Sequence, residues 1–110
     1  CDYNDFVSLV SKAISKKKVK IGIALCRSGQ GVNISAASNK DVFSALVYDD
    51  YSAKMSIKHN CANFFSLPDR KWNTKAKLKN FLNILKYESF DGGRHQARVM
   101  KIINTRNSAK

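Results

Sequence analysis

The spacing of hydrophobic and polar positions changes along the chain: segments with the period of a helix alternate with short apolar runs. Residues 21–25 (Ile-Gly-Ile-Ala-Leu) alternate large and small apolar residues, which is typical of a strand covered on both faces. Two more apolar runs, at residues 43–48 and 62–67, predict a second and a third strand, and Pro68 ends the last of them.

Segments of helical spacing lie before, between and after these strands. The predicted helices cover residues 2–18, 32–37, 51–58, 74–87 and 94–104. The clearest is the fourth, where Leu78, Phe81, Leu82 and Leu85 share one stripe and lysines occupy the other face. Residues 105–110 are expected to form a loose tail.

The order helix, strand, helix, strand, helix, strand, helix, helix predicts an α/β fold. We expect a three-layer, Rossmann-like parallel sheet with helices on both faces. No linker divides residues 1–110, so a single domain is expected. Three strands make a narrow sheet, and the first helix has no strand before it. We therefore expect this domain to be incomplete at its N-terminus, with one or two strands missing from the chain.

Composition narrows the classes of protein that the chain fits. The apolar share of 44% is sufficient for a core. No apolar run approaches the roughly 18 residues of a membrane span, so no membrane partner is expected. The 3 cysteines lack a Cys-x-x-Cys spacing, which argues against a disulfide scaffold or a zinc site and favours the reducing cytoplasm.

The chain is strongly basic, with 20 Lys and Arg against 8 Asp and Glu and a net charge of +12. Such a balance attracts anions, including phosphates, nucleic acid and acidic partners. However, the lysines are spread out and concentrate only at residues 16–18 and 71–86, and no RNA-binding signature with interleaved aromatic residues is present. We interpret the excess charge as a solvated surface, so a nucleic-acid partner is not expected.

A cysteine and a turn of small residues follow the first predicted strand. Cys26 falls at the carboxyl end of that strand, where open α/β sheets place their ligand crevice. Ser28-Gly29-Gln30-Gly31 predicts a turn whose N–H groups converge at a helix start, which suits an anion or a developing oxyanion. A thiolate there could take a proton from carbon. The alternatives are a tight βα connection and a cysteine that is a small buried hydrophobe.

Two features in the second half of the chain could also carry chemistry. His59 is predicted at a helix end; imidazole moves protons between oxygens near neutral pH, but a helix C-terminus also favours histidine for its charge alone. Arg94 and Arg98 stand one helical turn apart after Gly93, and such a pair either binds a phosphate or is a surface pair in a basic protein. His59 and His95, the 2 histidines, would need carboxylates to complete a three-ligand zinc site.

Three segments occur in a specific order and spacing: residues 22–31 (Gly-Ile-Ala-Leu-Cys-Arg-Ser-Gly-Gln-Gly), 51–60 (Tyr-Ser-Ala-Lys-Met-Ser-Ile-Lys-His-Asn) and 90–99 (Phe-Asp-Gly-Gly-Arg-His-Gln-Ala-Arg-Val). Together they resemble the type B ribose-5-phosphate isomerases and the related galactose-6-phosphate isomerase subunits. The first is similar to the family's strand and Cys-Gly-Ser/Thr-Gly-x-Gly turn, and the third to its Gly-Gly-Arg-His-x-x-Arg-Val. The resemblance extends from about Asp2 to Ile103.

The resemblance implies an aldose–ketose isomerase that works through an enediol without metal or organic cofactor. The implied catalytic residues are Cys26, which moves the proton between C1 and C2, and Ser28 with His59, which open the sugar ring. The implied substrate-binding residues are Arg27, Gly29, Gln30 and Gly31, through enediolate-stabilising amides, and Asn60. The implied phosphate-binding residues are Arg70, Arg94 and Arg98. The family builds its site between two subunits, which implies a homodimer or homotetramer.

The chain departs from the family pattern in several places. The family begins with a strand ending in an Asp-His pair, and no such pair precedes Asp2. Arg27 replaces a usual glycine of the turn, and Ala37-Ser38 stand where Asn-Lys is usual. Val32 occupies the position where some members carry a catalytic glutamate, which favours Cys26 as the base in this chain.

The expected reaction is the interconversion of ribose 5-phosphate and ribulose 5-phosphate in the pentose phosphate pathway. One alternative is a subunit of an isomerase for a six-carbon sugar phosphate, such as galactose or allose 6-phosphate. Another is a non-enzymatic basic α/β module that binds nucleic acid in a salt-sensitive manner. That last alternative gives no reason for Cys26, His59 and the Arg94/Arg98 pair to occur together.

Overall fold

The computed structural model of the chain describes residues 3–108, so the helix start expected at Asp2 lies outside the described residues. The elements are α1 (Tyr3–Ser15), β1 (Gly22–Cys26), α2 (Gln30–Ala37), β2 (Ser44–Leu46), α3 (Asp50–Asn60), β3 (Phe64–Pro68), α4 (Lys75–Tyr87) and α5 (Arg94–Ser108). This is the order that the hydrophobic pattern predicts. None of the helices in this part of the chain has an apolar stretch that could cross a bilayer.

The three strands form one parallel sheet in the order β1-β3-β2. Gly22 pairs with Phe64 and Cys26 with Pro68, so β1 and β3 are in register along their full length. β2 pairs with the other side of β3, from Ser44 opposite Phe64 to Leu46 opposite Ser66. The predicted parallel α/β sheet is therefore confirmed, with the last strand in the sequence at its centre.

Alternate residues of β3 face opposite layers of helices. Phe64 belongs to a core cluster with Val7 of α1 and Ala36 of α2. Phe65 belongs to a second cluster with Ala53 of α3 and Phe81 of α4, and its ring meets the Phe81 ring edge to face at 5.5 Å. Because successive side chains of a strand point to opposite faces, this central strand joins both cores. The expected three-layer arrangement is confirmed.

The expectation that β1 is covered on both faces is wrong. Gly22 and Ala24 are buried on the face that packs against α1 and α2. On the other face, Ile23 is 37% exposed and Leu25 is 54% exposed. β1 is an edge strand, and the α3 and α4 layer packs on β2 and β3 instead. An unbroken apolar run cannot distinguish a central strand from such an edge strand.

The expected loose tail is also wrong as far as residue 108, because α5 continues to Ser108. The helix is anchored by Arg106, whose guanidinium Nη1 donates to the carbonyl oxygens of Asn39 (3.3 Å), Lys40 (2.9 Å) and Val42 (2.7 Å). The same guanidinium lies 4.7 Å from the centre of the Phe43 ring. This contact fixes the last turns of α5 against the segment that leads into β2.

Candidate active site

Cys26 ends β1 at the carboxyl edge of the sheet. The carbonyl oxygen of Cys26 accepts a hydrogen bond of 2.7 Å from the N–H of Asp69, directly after β3. This bond holds the segment that carries Arg70 beside the turn that follows Cys26. Two segments that are distant in sequence therefore meet where parallel α/β sheets commonly place ligands.

Gly29 is the residue around which the turn is built. Its φ is +76°, a conformation that L side chains rarely adopt, and its carbonyl oxygen accepts a 2.6 Å hydrogen bond from the hydroxyl of buried Ser66. A Cβ at this position would lie 2.6 Å from Cδ1 of Leu46 and 3.0 Å from Oγ of Ser66. The sheet thus presses against the turn so closely that only glycine fits.

The turn leads directly into α2, whose positive end lies beside it. Gly29 precedes the helix and no side chain caps it. The hydroxyl of Ser28 accepts a 3.3 Å hydrogen bond from the N–H of Gln30, the first residue of α2. The remaining first-turn amides, together with the helix dipole, favour a negative group at this point. The amides that the sequence assigns to oxyanion stabilisation are therefore at a helix start.

A cavity of about 700 Å³ opens beside the turn. Its lining includes three basic residues, Arg27, Arg70 and Lys71, as well as Ser28 and Gln30. Asp69 is the acidic residue in this lining. The predominance of cationic groups suits an anionic ligand such as a phosphorylated sugar.

Cys26 does not line that cavity. Its half-buried side chain packs against the core beneath α1 and α2, and it faces an apolar cleft of about 350 Å³ at the free edge of β1. Tyr3 and Phe6 of α1 form another wall of this cleft. A Cβ added at Gly31 would lie 2.7 Å from the Tyr3 hydroxyl oxygen, so the Tyr3 ring rests on the turn. The sequence pattern gave no signal for this placement of Tyr3.

His59 and Asn60 are the last residues of α3, and they lie away from Cys26. α3 runs antiparallel to the strands, as crossover helices do, and returns the chain to the start of β3 at Phe64. Cys26, in contrast, is paired with Pro68 at the far end of β3. A strand of this length spans about 13 Å. Within one chain, therefore, the sheet separates the candidate base from the candidate ring-opening histidine.

The start of α5 meets the end of α3. The N–H of Asp91 donates a 2.9 Å hydrogen bond to the carbonyl oxygen of Lys58, and two glycines with positive φ, Gly92 (72°) and Gly93 (57°), turn the chain into α5. This turn stacks the His95 ring on the His59 ring, with centroids 4.0 Å apart and planes 9° from parallel.

Several charges surround the stacked pair. Desolvation holds the pKa of His95 below its usual value, and the nearby His59, Arg94 and Arg98 lower it further, whereas Asp91 raises it. Arg94 and Arg98 are both exposed on the first two turns of α5. The two arginines that the sequence assigns to phosphate binding are thus free to meet a ligand, at the same end of the molecule as His59.

A metal ion could draw ligands from His59, Asp91 and His95, whose potential ligand atoms all lie within 4.8 Å of one another. Asp91 supplies the carboxylate that two histidines would need. However, an ion between two parallel rings would lie outside both ring planes, and imidazole binds metals through an in-plane lone pair. The nearby Arg94 and Arg98 also oppose a cation. The pair as it stands does not fit a metal site.

The candidate residues therefore form two groups at opposite ends of the sheet. The group at the carboxyl end comprises Cys26, Arg27, Ser28, Gly29, Gln30, Gly31 and Arg70. The group at the other end comprises His59, Asn60, Arg94 and Arg98. Within one chain, residues contact others of their own group. The functional roles that the resemblance implies for them stay predictions.

Residues 1–102 match the family model described as Ribose/Galactose Isomerase. A probable ribose-5-phosphate isomerase B of Mycoplasma genitalium is 38% identical over 103 residues, which are 93% of this chain and 67% of that protein. A galactose-6-phosphate isomerase subunit LacA of Clostridium acetobutylicum is 34% identical over 92 residues, 84% of this chain and 64% of that subunit. The chain thus spans about two thirds of the length of these relatives.

Solved structures show the same fold. Ribose-5-phosphate isomerase B of Clostridium thermocellum superposes with a TM-score of 0.90 at 30% identity, covering 100% of this chain and 74% of that one. The Mycoplasma genitalium enzyme, solved with bound ribulose 5-phosphate, superposes with a TM-score of 0.87 at 34% identity, covering 97% of this chain and 70% of that one.

Proposed function

This chain belongs to the ribose/galactose isomerase family, and on that premise we propose that it interconverts ribose 5-phosphate and ribulose 5-phosphate through an enediol. The observation that carries the proposal is the turn after β1. There, a cysteine, an uncapped helix start and a basic cavity lie within a few residues of one another. A proton-transfer reaction on an anionic sugar needs a base, an oxyanion site and a cationic pocket. Ser28 and Gln30 join the helix start to the cationic pocket, and the adjoining Cys26 faces the apolar cleft at the edge of β1.

Cys26 is the proposed base of the proton transfer. Its thiolate takes the proton from C2 of the open-chain aldose, and the electron pair of that bond forms the C1–C2 double bond of the enediolate. The same thiol then returns a proton to C1, while the hydroxyl proton of O2 passes to O1, leaving a ketone at C2. No electrons leave the substrate, so the reaction requires no redox cofactor.

The amides at the start of α2 are the proposed oxyanion site. The negative charge of the enediolate develops on oxygen as the proton leaves carbon. Residues Arg27, Gly29, Gln30 and Gly31 lie on the turn that enters α2, where backbone N–H groups and the helix dipole favour that charge. The close packing of Gly29 against Ser66 holds this geometry in place before substrate arrives.

His59 and Ser28 are proposed to open the sugar ring, and Asn60 to bind a substrate hydroxyl. Arg70, Arg94 and Arg98 are proposed to bind the phosphate. Since His59 and Arg98 lie at the opposite end of the sheet from Cys26, we place these groups in one site only by combining two copies of the chain. One copy supplies the Cys26 turn, and the other supplies the end of α3 and the start of α5. The assembly is therefore a homodimer, or a homotetramer built from such dimers.

A six-carbon substrate is the second candidate. It is favoured by the galactose-6-phosphate isomerase subunit, which is 34% identical to this chain, close to the identity of the ribose-5-phosphate isomerases. Arg27 adds a long cationic side chain to the cavity lining, and this reduces the room for a sixth carbon. We therefore retain the pentose as the leading substrate.

The test is a direct assay of isomerisation by the purified protein. Ribose 5-phosphate, allose 6-phosphate and galactose 6-phosphate are compared at equal concentration, and the expected order of kcat/KM places the pentose first. A preference for either hexose phosphate would move the assignment to the second candidate. Absence of activity on all three, together with salt-sensitive binding to DNA or RNA, would replace the isomerase by a nucleic-acid-binding module.

A further inference from the structure

His95 stacks on the candidate ring-opening histidine but has no role in the proposed reaction so far. The two imidazole rings lie 4.0 Å apart and 9° from parallel. We propose that His95 is a positioning residue, which fixes the orientation of the His59 ring for opening of the sugar ring. This proposal rests on the proposed function, since it assigns His95 an effect on one step of that reaction.

The contact is well placed to orient His59. His59 lies in the last turn of α3, so no further turn of that helix follows its side chain. In the described part of the chain neither imidazole has a hydrogen-bonding partner, and the stack is an aromatic contact made by the His59 ring. An imidazole that transfers a proton must present one nitrogen to the substrate oxygen, and loss of its orientation lowers the rate.

His95 itself is held firmly. The loop before it is tied to α3 by the hydrogen bond from Asp91 N–H to the Lys58 carbonyl oxygen, and the N–H of His95 donates to the carbonyl oxygen of Gly92 at 3.1 Å. The positive φ values of Gly92 and Gly93 set the direction from which α5 approaches. The stacking partner is thus built into the junction of α3 and α5.

The charges around the pair favour a neutral His95. The charged and titratable groups that act on it are His59 of α3, Asp91 of the loop, and Arg94 and Arg98 of α5. Desolvation, the stacked His59 and the positive charges of Arg94 and Arg98 lower the pKa of His95, which favours its neutral form. A neutral His95 offers an aromatic surface without opposing the proton that His59 transfers to the ring oxygen.

Ring opening can be separated from proton transfer by the direction of the assay. Ribose 5-phosphate is a ring that must open before the enediol forms. Ribulose 5-phosphate is an open chain, because its C5 oxygen carries the phosphate and cannot close a five-membered ring on C2. A positioning role in ring opening therefore affects the reaction from the aldose and spares proton exchange from the ketose.

The experiment compares His95→Leu with His95→Phe, which keeps an aromatic ring for stacking but cannot titrate. For His95→Leu we expect kcat with ribose 5-phosphate to fall about 10-fold to 100-fold, and His95→Phe to regain most of that loss. Exchange of solvent deuterium into C1 of ribulose 5-phosphate, catalysed by the same variants, is expected to stay within about twofold of wild type. Thermal denaturation confirms that each variant is folded.

Two results would overturn the positioning role: an equal loss in both directions, or wild-type turnover of ribose 5-phosphate by His95→Leu. Should His95→Leu fail to fold, the comparison is made with His95→Phe and His95→Gln. Cys26→Ala distinguishes a failure of the positioning role of His95 from a failure of the proposed function. It should lose activity from both substrates, and if the wild type isomerises neither substrate, the proposed function itself is wrong.

Discussion

Cys26 and His59 lie at opposite ends of the central strand. Cys26 is paired with Pro68, the last residue of β3, whereas His59 lies in the last turn of α3, just before β3 begins at Phe64. The length of the strand, about 13 Å, exceeds the few ångströms over which a side chain can act on the same sugar. If both residues serve one reaction, the reacting groups come from two copies of the chain.

Replacement of Cys26 by Ala tests the proposed base. We expect the isomerisation rate to fall by about 10²–10⁴, because the proton on carbon would have no acceptor, while binding of the sugar phosphate changes little. The measurement is kcat and KM with ribose 5-phosphate. Cys61→Ala is the matched control: it removes the exposed cysteine that caps α3 and should leave most of the activity. Equal rates in the two variants would remove Cys26 from the mechanism.

Gly29→Ala tests the packing of the turn, with Gly93→Ala as its control. Both glycines have positive φ, so each substitution costs about 1–2 kcal/mol of conformational energy. At Gly29 the new Cβ would also meet Leu46 at 2.6 Å, whereas at Gly93 no atom lies within 4 Å. Urea unfolding should therefore show a larger loss of stability for Gly29→Ala. Equal losses would mean that the sheet does not press on the turn.

Arg98→Ala tests the phosphate assignment. Loss of a charge-assisted bidentate contact should raise KM for ribose 5-phosphate about 10-fold or more without changing the fold, since the Arg98 side chain is exposed. Lys101→Ala removes another exposed cation from the same helix and should change KM little. Inhibition by inorganic phosphate provides a second readout. If both variants lose affinity for phosphate equally, only the general charge of the helix matters.

The depressed pKa of His95 predicts a pH dependence of stability. Desolvation and the neighbouring His59, Arg94 and Arg98 oppose protonation in the folded chain, whereas the unfolded histidine titrates near its ordinary pKa of about 6.5. The unfolded state therefore binds more protons as the pH falls through this ordinary pKa, and the folded state loses stability, which is measured at about pH 7 and at about pH 5.

That loss should be smaller in His95→Gln, because residue 95 no longer titrates. Melting temperatures of wild type and variant at the two pH values provide the comparison. A parallel decrease in both proteins would show that other groups account for the acid sensitivity.

The sequence predicts much of the fold because its helices and strands differ clearly in period. Leu78, Phe81 and Leu85 of the predicted α4 stripe pack in the core as expected, whereas Leu82 is exposed. The covering of β1 could not be predicted, since apolar periodicity does not say which strand is at the edge. The anchoring role of Arg106 could not be predicted either, because its three carbonyl acceptors lie far away in the sequence.

In the candidate site, too, some features could be predicted from the sequence and others could not. The position of Cys26 at a strand end and the glycine-containing turn after it follow from local pattern and turn chemistry. In contrast, the stack of His59 on His95 and the placement of Tyr3 over Gly31 arise from how α5 and α1 dock, and no local pattern encodes them. Local chemistry could thus be predicted, whereas contacts between distant elements required the structure.

The most direct test of a shared active site is complementation between two inactive variants. Cys26→Ala and His59→Asn are co-expressed with different affinity tags, and the mixed assembly is isolated and assayed with ribose 5-phosphate. In a mixed dimer one of the two sites combines the intact Cys26 with the intact His59, so about half of the wild-type activity per dimer should return. A mixed assembly as inactive as its two parents would contradict a site that is built from two copies of this chain.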